Sequence, residues 1–233
     1  MLILTGYTDN LTFGPMTEES WRRYAKKHGY EFECKRQADF LPLQVKEPSH
    51  ASWHKLHFLR EALVKHEWTF WADADSLVTN SSIPIEALIV PEAYHHLTAC
   101  EDCTDPDFSP WNAGHMLLHQ SPDVLRLLDA ASFFKQYRTE RFYDQSALRL
   151  ADAGEVRLLP YGTLGTCYRE TEHNPKRVWR PGDFCVHTLG LKERGAEVLP
   201  LYIEEDAKWC SEHGEFDTNW TPPAAVPYRP PGR

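Results

Sequence analysis

Short apolar segments alternate with segments of helical periodicity along this chain, and this alternation limits the fold more than any other feature. Short strands are predicted at Leu2–Thr5 and Tyr30–Cys34, and Trp68–Ala72 is an apolar run too short for a helix, so it is predicted as a buried strand. Thr17 is predicted to cap a first helix that ends near Gly29, and a second helix is predicted over Ser52–His66. The first part of the chain therefore predicts an α/β fold.

The alternation continues less regularly after residue 96. Strands are predicted at Leu97–Cys100, His115–Leu118, Val156–Leu159 and Phe184–His187, and helices after Ser121 and over Gln145–Ala151. With 233 residues, the chain is long enough for one domain with a sizeable core. We expect a single α/β domain over 1–220, with a mixed central sheet flanked by helices. The remaining residues, 221–233, contain five prolines and are predicted to be extended or disordered.

Net charge and hydropathy exclude some classes of partner. The formal net charge of -9 disfavours nonspecific binding to nucleic acid or to an anionic membrane. No segment approaches the ~20 consecutive apolar residues that span a bilayer, so no membrane span is expected. The sequence opens with a predicted strand instead of a signal peptide, which favours a cytoplasmic location.

Two carboxylates follow the third predicted strand. Asp73 and Asp75 are separated only by Ala74, directly after Trp68–Ala72. Ligands in open α/β sheets bind at the carboxyl ends of strands, and two repelling carboxylates are stabilised by a cation. Oxygen ligands suit Mg²⁺ or Mn²⁺, which also take substrate phosphate oxygens. A metal site is the functional interpretation, and a solvated turn is the alternative.

The same motif resembles that of the haloacid-dehalogenase-type phosphatases, in which the first aspartate is a nucleophile. Asp73 would then be the nucleophile, and Gly182-Asp183 would begin the late acidic motif. However, that family carries its nucleophile on the first strand, and the run from Gly182 to His187 lacks the second acidic residue. The phosphatase is therefore kept only as an alternative.

The wider pattern resembles the GT-A glycosyltransferases, whose fold is Rossmann-like. The nearest resemblance is to the galactosyl/mannosyl transferases of the fungal Golgi together with the plant xyloglucan xylosyltransferases, and the glycogenin-like family is more distant. Five motifs recur in order over about residues 1–192: 24–30 (YAKKHGY), 52–77 (SWHKL through WADADSL), 112–114 (NAG), 144–148 (DQSAL) and 182–190 (GDFCVHTLG). Each motif alone is weak, and their order carries the resemblance.

The resemblance implies a metal-dependent, retaining transfer of a hexose or pentose from a nucleotide sugar, with a UDP-sugar favoured. Asp73, Asp75 and His187 would bind Mn²⁺ or Mg²⁺, and Asp144 and Gln145 would act on the sugar. The implied donor-binding residues are Thr5, Gly6, Tyr7, Asp9, Lys55, Asp73, Asn112, Ala113, Gly114, Gly190 and Lys192. Tyr7 is expected to stack on the base.

Other interpretations of these residues stay open. Considered alone, a histidine after an apolar strand, such as His187, is more often a hydrogen-bonded core residue than a metal ligand. The alternative interpretation of Lys55 is a surface lysine on a solvated helix face. The segment Leu159–Tyr168 lacks the Asn that relatives carry after Leu-Pro, so the donor sugar is not transferred from any relative. Cys100 and Cys103 form a single C-x-x-C pair without a second one, which makes a zinc site improbable. A non-catalytic nucleotide-sugar-binding relative is a further alternative, and the acceptor is unknown: glycan, lipid, protein or modified nucleic acid.

Overall fold

A computed structural model describes residues 1–88, 96–102, 110–140, 142–154, 156–168, 178–189, 194–213 and 226–227. Within these ranges the chain forms one large sheet with helices on both faces and a second, small sheet beside it. The observed architecture confirms the predicted α/β class and its mixed central sheet.

The large sheet has the strand order β10-β7-β5-β6-β3-β1-β2. Strands β1, β2 and β3 are parallel, β6 is antiparallel to both β3 and β5, β5 is parallel to β7, and β10 is antiparallel to β7. Their bounds are β1 Leu2–Gly6, β2 Glu31–Lys35, β3 Trp68–Ala72, β5 Leu97–Glu101, β6 Trp111–His119, β7 Val156–Leu159 and β10 Val226–Pro227. Of the proline-rich tail, residues 226–227 thus add a short strand to the sheet edge.

The small sheet has the order β4-β9-β8, with β4 Ser76–Val78, β8 Thr166–Cys167 and β9 Cys185–His187. Strand β4 follows β3 after only three residues, so the two sheets meet at the carboxyl end of β3. Ser76 of β4 lies opposite His187 of β9 in an antiparallel pair. This pairing brings the last predicted motif against the turn after β3.

Helices cover both faces of the large sheet. Alternation along β1 illustrates this: Leu2 and Leu4 pack in one core cluster with helices α3, α4 and α5, whereas Ile3 packs in another with α1. The helices are α1 Gly14–His28, α2 Gln37–Lys46, α3 Lys55–Lys65, α4 Pro122–Phe133, α5 Tyr143–Ala151, α6 Gly195–Val198, α7 Pro200–Ile203 and α8 Glu205–His213. Short 3₁₀ helices lie at Ala51–His54, Ile85–Leu88 and Lys135–Arg138. None of the helices in the described ranges combines the length and apolar character needed to cross a bilayer.

Most predicted elements are confirmed, but the predicted cap of α1 is wrong, and helices α2 and α6 to α8 were not predicted. Helix α1 begins at Gly14, with a proline in its first turn, so Thr17 is not its cap. The Thr17 hydroxyl instead donates to the carbonyl oxygens of Gly14 and Ala74. Helix α2 was not predicted, because Pro42 lies inside it and only Phe40 is buried. Helices α6 to α8 were not predicted either, because they show little apolar periodicity. Among their described residues, Gly195 is buried, and so is Leu199, which caps the junction of α6 and α7.

Candidate metal and donor site

The turn that follows β3 presents Asp73 and Asp75 at the junction of the two sheets. The backbone N–H of Asp73 donates to the Gly114 carbonyl at 2.7 Å, and the N–H of Ser76 donates to the Asp73 carbonyl at 3.1 Å. The Thr17 hydroxyl donates to the Ala74 carbonyl at 2.8 Å, which ties the turn to α1. These bonds hold a tight turn whose two carboxylates stay partly exposed.

Asp75 is paired with His187, which lies 112 residues further along the chain. Nε2 of His187 is 3.0 Å from Oδ1 of Asp75. Burial raises the pKa of Asp75, but the charge of His187 and the hydrogen bond to it outweigh burial and hold that pKa below its ordinary value. Burial lowers the pKa of His187, and the Asp75 carboxylate raises it above 6.5 overall. The pair therefore favours a positive charge next to Asp75.

Asp73, Asp75 and His187 offer one ligand atom each within 4.8 Å of one another. A metal with ligand distances of about 2.1 Å in octahedral geometry has neighbouring ligand atoms about 3 Å apart. The 3.0 Å separation of His187 Nε2 and Asp75 Oδ1 matches that spacing. Two carboxylates with one imidazole suit Mn²⁺, which accepts nitrogen ligands more readily than Mg²⁺ does. The donor set thus fits the implied metal.

Lys55 is buried, with 3 % of its side chain exposed, and its ammonium joins two carboxylates. Nζ lies 2.9 Å from Oδ1 of Asp73 and 2.9 Å from Oδ2 of Asp144, and it donates to the Ala113 carbonyl at 2.9 Å. Burial lowers the pKa of Lys55, but the two carboxylates raise it above its ordinary value, so the ammonium stays charged. Because the ammonium is so engaged, Lys55 is not the surface lysine of the alternative interpretation.

Asp144 and Gln145 lie in the first turn of α5, behind a strained segment. Phe142 has φ 65° and Tyr143 has φ 37°, in the left-handed region that non-glycine residues rarely adopt. Such strain persists where packing fixes a functional segment. Burial raises the pKa of Asp144 to about 6, although Lys55 opposes the shift.

The side-chain amide of Gln145 connects two strands of the large sheet. Its Oε1 accepts from the Ala113 N–H at 2.9 Å, and its Nε2 donates to Oδ2 of Asp102 at 2.7 Å. Gln145 and Asp102 are both buried. These bonds fix the orientation of the amide, because a backbone N–H requires the oxygen and a carboxylate requires the nitrogen.

Asn112, Ala113 and Gly114 occupy an irregularity in the large sheet. The register between β5 and β6 shifts from the pair Ala99–Met116 to the pair Cys100–Asn112, which leaves residues 113–115 of β6 between the two pairs. Such bulges redirect side chains and are frequent next to active sites. Here the Ala113 backbone contacts both Lys55 and Gln145, so one irregular segment links the Asp73 turn to α5.

The predicted nucleotide segment begins within β1, which contains Thr5 and Gly6, and continues past the end of that strand. The side-chain oxygen of Thr5 is buried without a hydrogen-bond partner among the described residues. The Tyr7 N–H donates to the Lys35 carbonyl at 2.9 Å, its hydroxyl donates to Oε2 of Glu18 at 2.8 Å, and its ring packs on Gly14, where a Cβ would lie 2.5 Å away. Asp9 is exposed, and its N–H donates to the Gln37 side chain at 3.2 Å.

Glu18 is the centre of an ion-pair network beside Tyr7. Its carboxylate, 3 % exposed, pairs with Arg22 and with Arg36, and the Arg36 guanidinium nitrogen Nη2 lies 2.5 Å from Glu18 Oε1. Burial raises the pKa of Glu18, but hydrogen bonds from Arg36 and Tyr7 lower it below 4.5 overall. We call Glu18, Tyr7, Arg22 and Arg36 the Glu18 cluster. Sequence analysis missed it, because helix propensity alone accounts for an acidic residue early in α1.

Some predicted site residues lie outside the described ranges, and some site residues were not predicted. Gly190, Lys192 and Cys103 belong to the first group. Cys100 is buried and free, and its sulfur accepts from the Leu164 N–H.

The unpredicted residues are Trp71, whose indole donates to Asp73 at 2.6 Å, and His115, whose ring packs edge-on against His187. No local pattern marks them, because both lie within strands predicted only as apolar core.

His187 lines a small pocket. Its lining includes Asn112, Tyr161, Gly165 and Leu189. His115 also lines it, and burial holds the pKa of His115 well below 6.5, so this second imidazole is neutral. The segment Leu159–Tyr168, which lacks the expected Asn, thus forms one wall of a pocket beside His187.

Solved structures with a similar fold are glycosyltransferases. One is a glycosyltransferase involved in the glycosylation of the major capsid of PBCV-1, with TM-score 0.63, 19% identity and coverage of 89% of this chain and 97% of that chain. Another is the galactosyltransferase LgtC in complex with donor and acceptor sugar analogs, with TM-score 0.58, 14% identity and coverage of 94% and 99%. A third is GlyE of Streptococcus pneumoniae, with TM-score 0.51, 11% identity and coverage of 92% and 64%. The fold is that of the GT-A glycosyltransferases.

Residues 9–129 match the model of the galactosyl transferase GMA12/MNN10 family. The chain belongs to this family and is a glycosyltransferase. The matched segment contains Lys55, Asp73, Asp75 and Asn112–Gly114, whereas Asp144, Gln145 and His187 lie beyond it. No curated protein sequence gives a significant match.

Proposed function

We propose that this glycosyltransferase moves a hexose or pentose from a nucleotide sugar to an acceptor, with a divalent cation and with retention of anomeric configuration. One observation carries the proposal: in a chain of this family, Asp73, Asp75 and His187 bring their ligand atoms within 4.8 Å of one another. A UDP-sugar is favoured as donor because the family resemblance favours it.

The three residues would hold Mn²⁺, or Mg²⁺, at the carboxyl end of β3. A cation held there would supply positive charge to balance the departing diphosphate. Three carboxylates, Asp73, Asp75 and Asp144, face the ammonium of Lys55 and the imidazole of His187, so with all three ionised the site has an excess of negative charge that favours a divalent cation. This excess supports metal binding independently of the resemblance.

The sugar would lie between the metal and the start of α5. Asp144 and Gln145 would stabilise positive charge at the anomeric carbon, with the Gln145 amide held by Ala113 and Asp102. An amide is a poor nucleophile, so a front-face departure and attack is favoured over a covalent intermediate on Gln145. Lys55 would hold Asp73 and Asp144 in place for these roles.

The nucleotide would lie along the segment after β1. Thr5, Gly6, Tyr7 and Asp9 would contact it, with the Tyr7 ring stacked on the base and held from below by Gly14 and Glu18. Asn112, Ala113 and Gly114 would meet the sugar from the bulge of β6. Gly190 and Lys192 keep their predicted donor-binding roles as proposals, since they lie outside the described ranges.

Calorimetric titration with UDP and GDP tests the metal-dependent part of the proposal. UDP should bind in the presence of Mn²⁺ and lose most of its affinity after chelation, and GDP should bind more weakly. Asp129→Asn, an exposed residue paired with Arg60, serves as a matched control and should bind as the wild type does. Equal binding of both nucleotides after chelation would overturn the metal assignment.

A non-catalytic sugar-nucleotide-binding relative is the second candidate. Hydrolysis of a UDP-sugar panel with and without Mn²⁺ separates the two, because a binder shows affinity without turnover. The family match and the GT-A fold disfavour the haloacid-dehalogenase-type phosphatase, which would need Asp73 as a nucleophile although Lys55 and Trp71 engage its Oδ1. The acceptor (glycan, lipid, protein or modified nucleic acid) and the cytoplasmic location stay predictions.

A further inference from the structure

Gly114 leaves a space in β6 that the imidazole of His187 fills. A Cβ built on Gly114 would lie 2.3 Å from Cε1 and 3.1 Å from Nδ1 of His187. Non-bonded carbon atoms make their best contacts at about 3.5–4.0 Å, so an alanine at this position requires the ring to move by about 1 Å or more. The side of Gly114 that a side chain would occupy therefore faces His187.

The backbone of Gly114 is fixed on both sides. Its carbonyl accepts from the Asp73 N–H at 2.7 Å, and its own N–H donates to Oδ1 of Asn112 at 2.7 Å. A retreat of this backbone would pull on the turn that carries Asp73. The built Cβ also lies 2.7 Å from Oδ1 of Asn112. An added methyl group therefore displaces the imidazole, its nearest neighbour, and the Asn112 amide, rather than the strand.

The His187 ring is enclosed on another side by His115. The two ring centroids are 4.9 Å apart with an interplanar angle of 81°. His115 is itself held in place: its Nε2 is 3.3 Å from the Cys185 sulfur, and at Gly165 a Cβ would lie 2.6 Å from its Nδ1. His187 therefore cannot move toward His115 without a second displacement.

We propose that Gly114 is a positioning residue for the metal site, because the absence of its side chain lets His187 reach Asp75. The inference rests on the proposed metal site and assigns Gly114 a role distinct from contact with the sugar. Gly114→Ala should separate His187 Nε2 from the ligand atoms of Asp73 and Asp75. Since loss of outer-shell support typically weakens metal affinity about 10–100-fold, we expect at least a tenfold loss of Mn²⁺ affinity.

A double-mutant cycle tests this role with the wild type, Gly114→Ala, His187→Ala and the double variant. Mn²⁺ affinity is measured by titration in the presence of UDP, and unfolding in urea is measured without metal. Gly114→Ala should weaken Mn²⁺ binding at least tenfold when His187 is present and less than twofold when it is alanine. In metal-free protein, the destabilisation by Gly114→Ala should likewise shrink in the His187→Ala background. Asn112 is present in both backgrounds, so its contact with the added methyl cancels.

Gly29→Ala is the control for an unspecific glycine effect. Gly29 has φ 72° and no atom within 4 Å of a built Cβ. The Gly29→Ala substitution should lower stability equally in the wild-type and His187→Ala backgrounds and leave Mn²⁺ affinity unchanged. If Gly114→Ala is insoluble, a soluble Gly114→Ala/His187→Ala double variant supports the positioning role of Gly114. An insoluble double variant overturns that role.

Two further outcomes separate this role from the proposed function. Equal losses of affinity and stability in both backgrounds would overturn the role of Gly114 alone. A wild type that binds no Mn²⁺ with UDP would overturn the metal site, and with it this role.

Discussion

Two charged clusters of this chain differ in their charge balance. In the Glu18 cluster, one buried carboxylate meets two arginines, of which Arg22 is 45% and Arg36 60% exposed. In the carboxylate cluster (Asp73, Asp75, Asp144, Lys55 and His187), three carboxylates meet one buried ammonium and one histidine. In the Glu18 cluster, the arginine side chains balance the negative charge of Glu18. In the carboxylate cluster, the carboxylates outnumber the cationic side chains.

The difference indicates which cluster is structural and which binds a ligand. A buried carboxylate with satisfied partners fixes the position of its neighbours, here Tyr7. A cluster with excess negative charge favours the binding of a proton or a cation, and the Asp75 carboxylate accordingly raises the pKa of His187 above its ordinary value, although burial lowers it. The two clusters should therefore respond differently to substitution, metal and pH.

The largest expected effect is on activity at Asp75. Asp75→Asn keeps the shape of the side chain but removes a charged metal ligand, and the transition-state stabilisation it supports is worth several kcal/mol. UDP-sugar turnover should fall by about 10³-fold or more, with the thermal unfolding transition still cooperative. Asp129→Asn should retain wild-type turnover. Turnover within tenfold of the wild type would remove Asp75 from the metal site.

Lys55 should have the largest effect on stability. Lys55→Met leaves Asp73 and Asp144 without their shared cation, and removal of one partner of a buried ion pair typically destabilises by about 3–5 kcal/mol. Urea unfolding of metal-free protein measures the loss, and Lys55→Met/Asp144→Asn should recover part of it. Arg60→Met, which breaks an exposed pair with Asp129, should lose less than about 1 kcal/mol. Similar losses in both single variants would show that Lys55 is not the central cation of its cluster.

The Glu18 cluster should lose stability with acid. Because the pKa of Glu18 is lowered below 4.5 in the folded protein, its ionised form stabilises the fold fully above that value. That contribution is lost as the pH falls through the folded-state pKa. Glu18→Gln should therefore destabilise by about 1–3 kcal/mol at pH 7 and by less below pH 4.5. Urea unfolding of both proteins across this range measures it, and a pH-independent difference would contradict it.

The smallest expected effect is on nucleotide binding at Tyr7. Tyr7→Phe removes only the hydrogen bond to Glu18, which is worth about 0.5–1.5 kcal/mol of stability, and should leave UDP affinity within about threefold. Tyr7→Ala removes the ring and should reduce UDP affinity by about 1–3 kcal/mol if the base stacks on it. Calorimetry with UDP and Mn²⁺ compares them. Equal affinities for the two variants would exclude stacking on Tyr7.

Local sequence pattern was sufficient for the elements with a strong period or a strong start. Strands β3 and β7 lie at their predicted bounds, and Ser121 accepts a hydrogen bond from the Val124 N–H at the start of α4 as its sequence predicts. Five motifs in order were sufficient to indicate the GT-A class, which the family match and the fold confirm. For the strands and the helix start the information lies within a few consecutive residues, whereas the resemblance depends on the order of the motifs along the chain.

The contacts within the site depend on segments far apart in the chain. Strand β9 has only three residues, and its pairing with β4 places His187 against Asp75. The bulge of β6 turns Gly114 toward His187 and the Ala113 backbone toward Lys55 and Gln145. The apolar run Phe184–His187 predicts β9 itself, but its pairing with β4 and the irregular register of β6 have no local pattern, because both depend on partners that are distant in the sequence.

The sequence by itself determined the fold class, the order of the main elements and the residue types available for metal and sugar chemistry. Those properties depend on composition and periodicity over short windows. Only the tertiary structure decided that Lys55 is buried between Asp73 and Asp144, that Gly114 faces His187, and that Glu18 holds Tyr7. Each of these is a contact between groups at least 11 residues apart, and its energy exists only after the sheets have assembled.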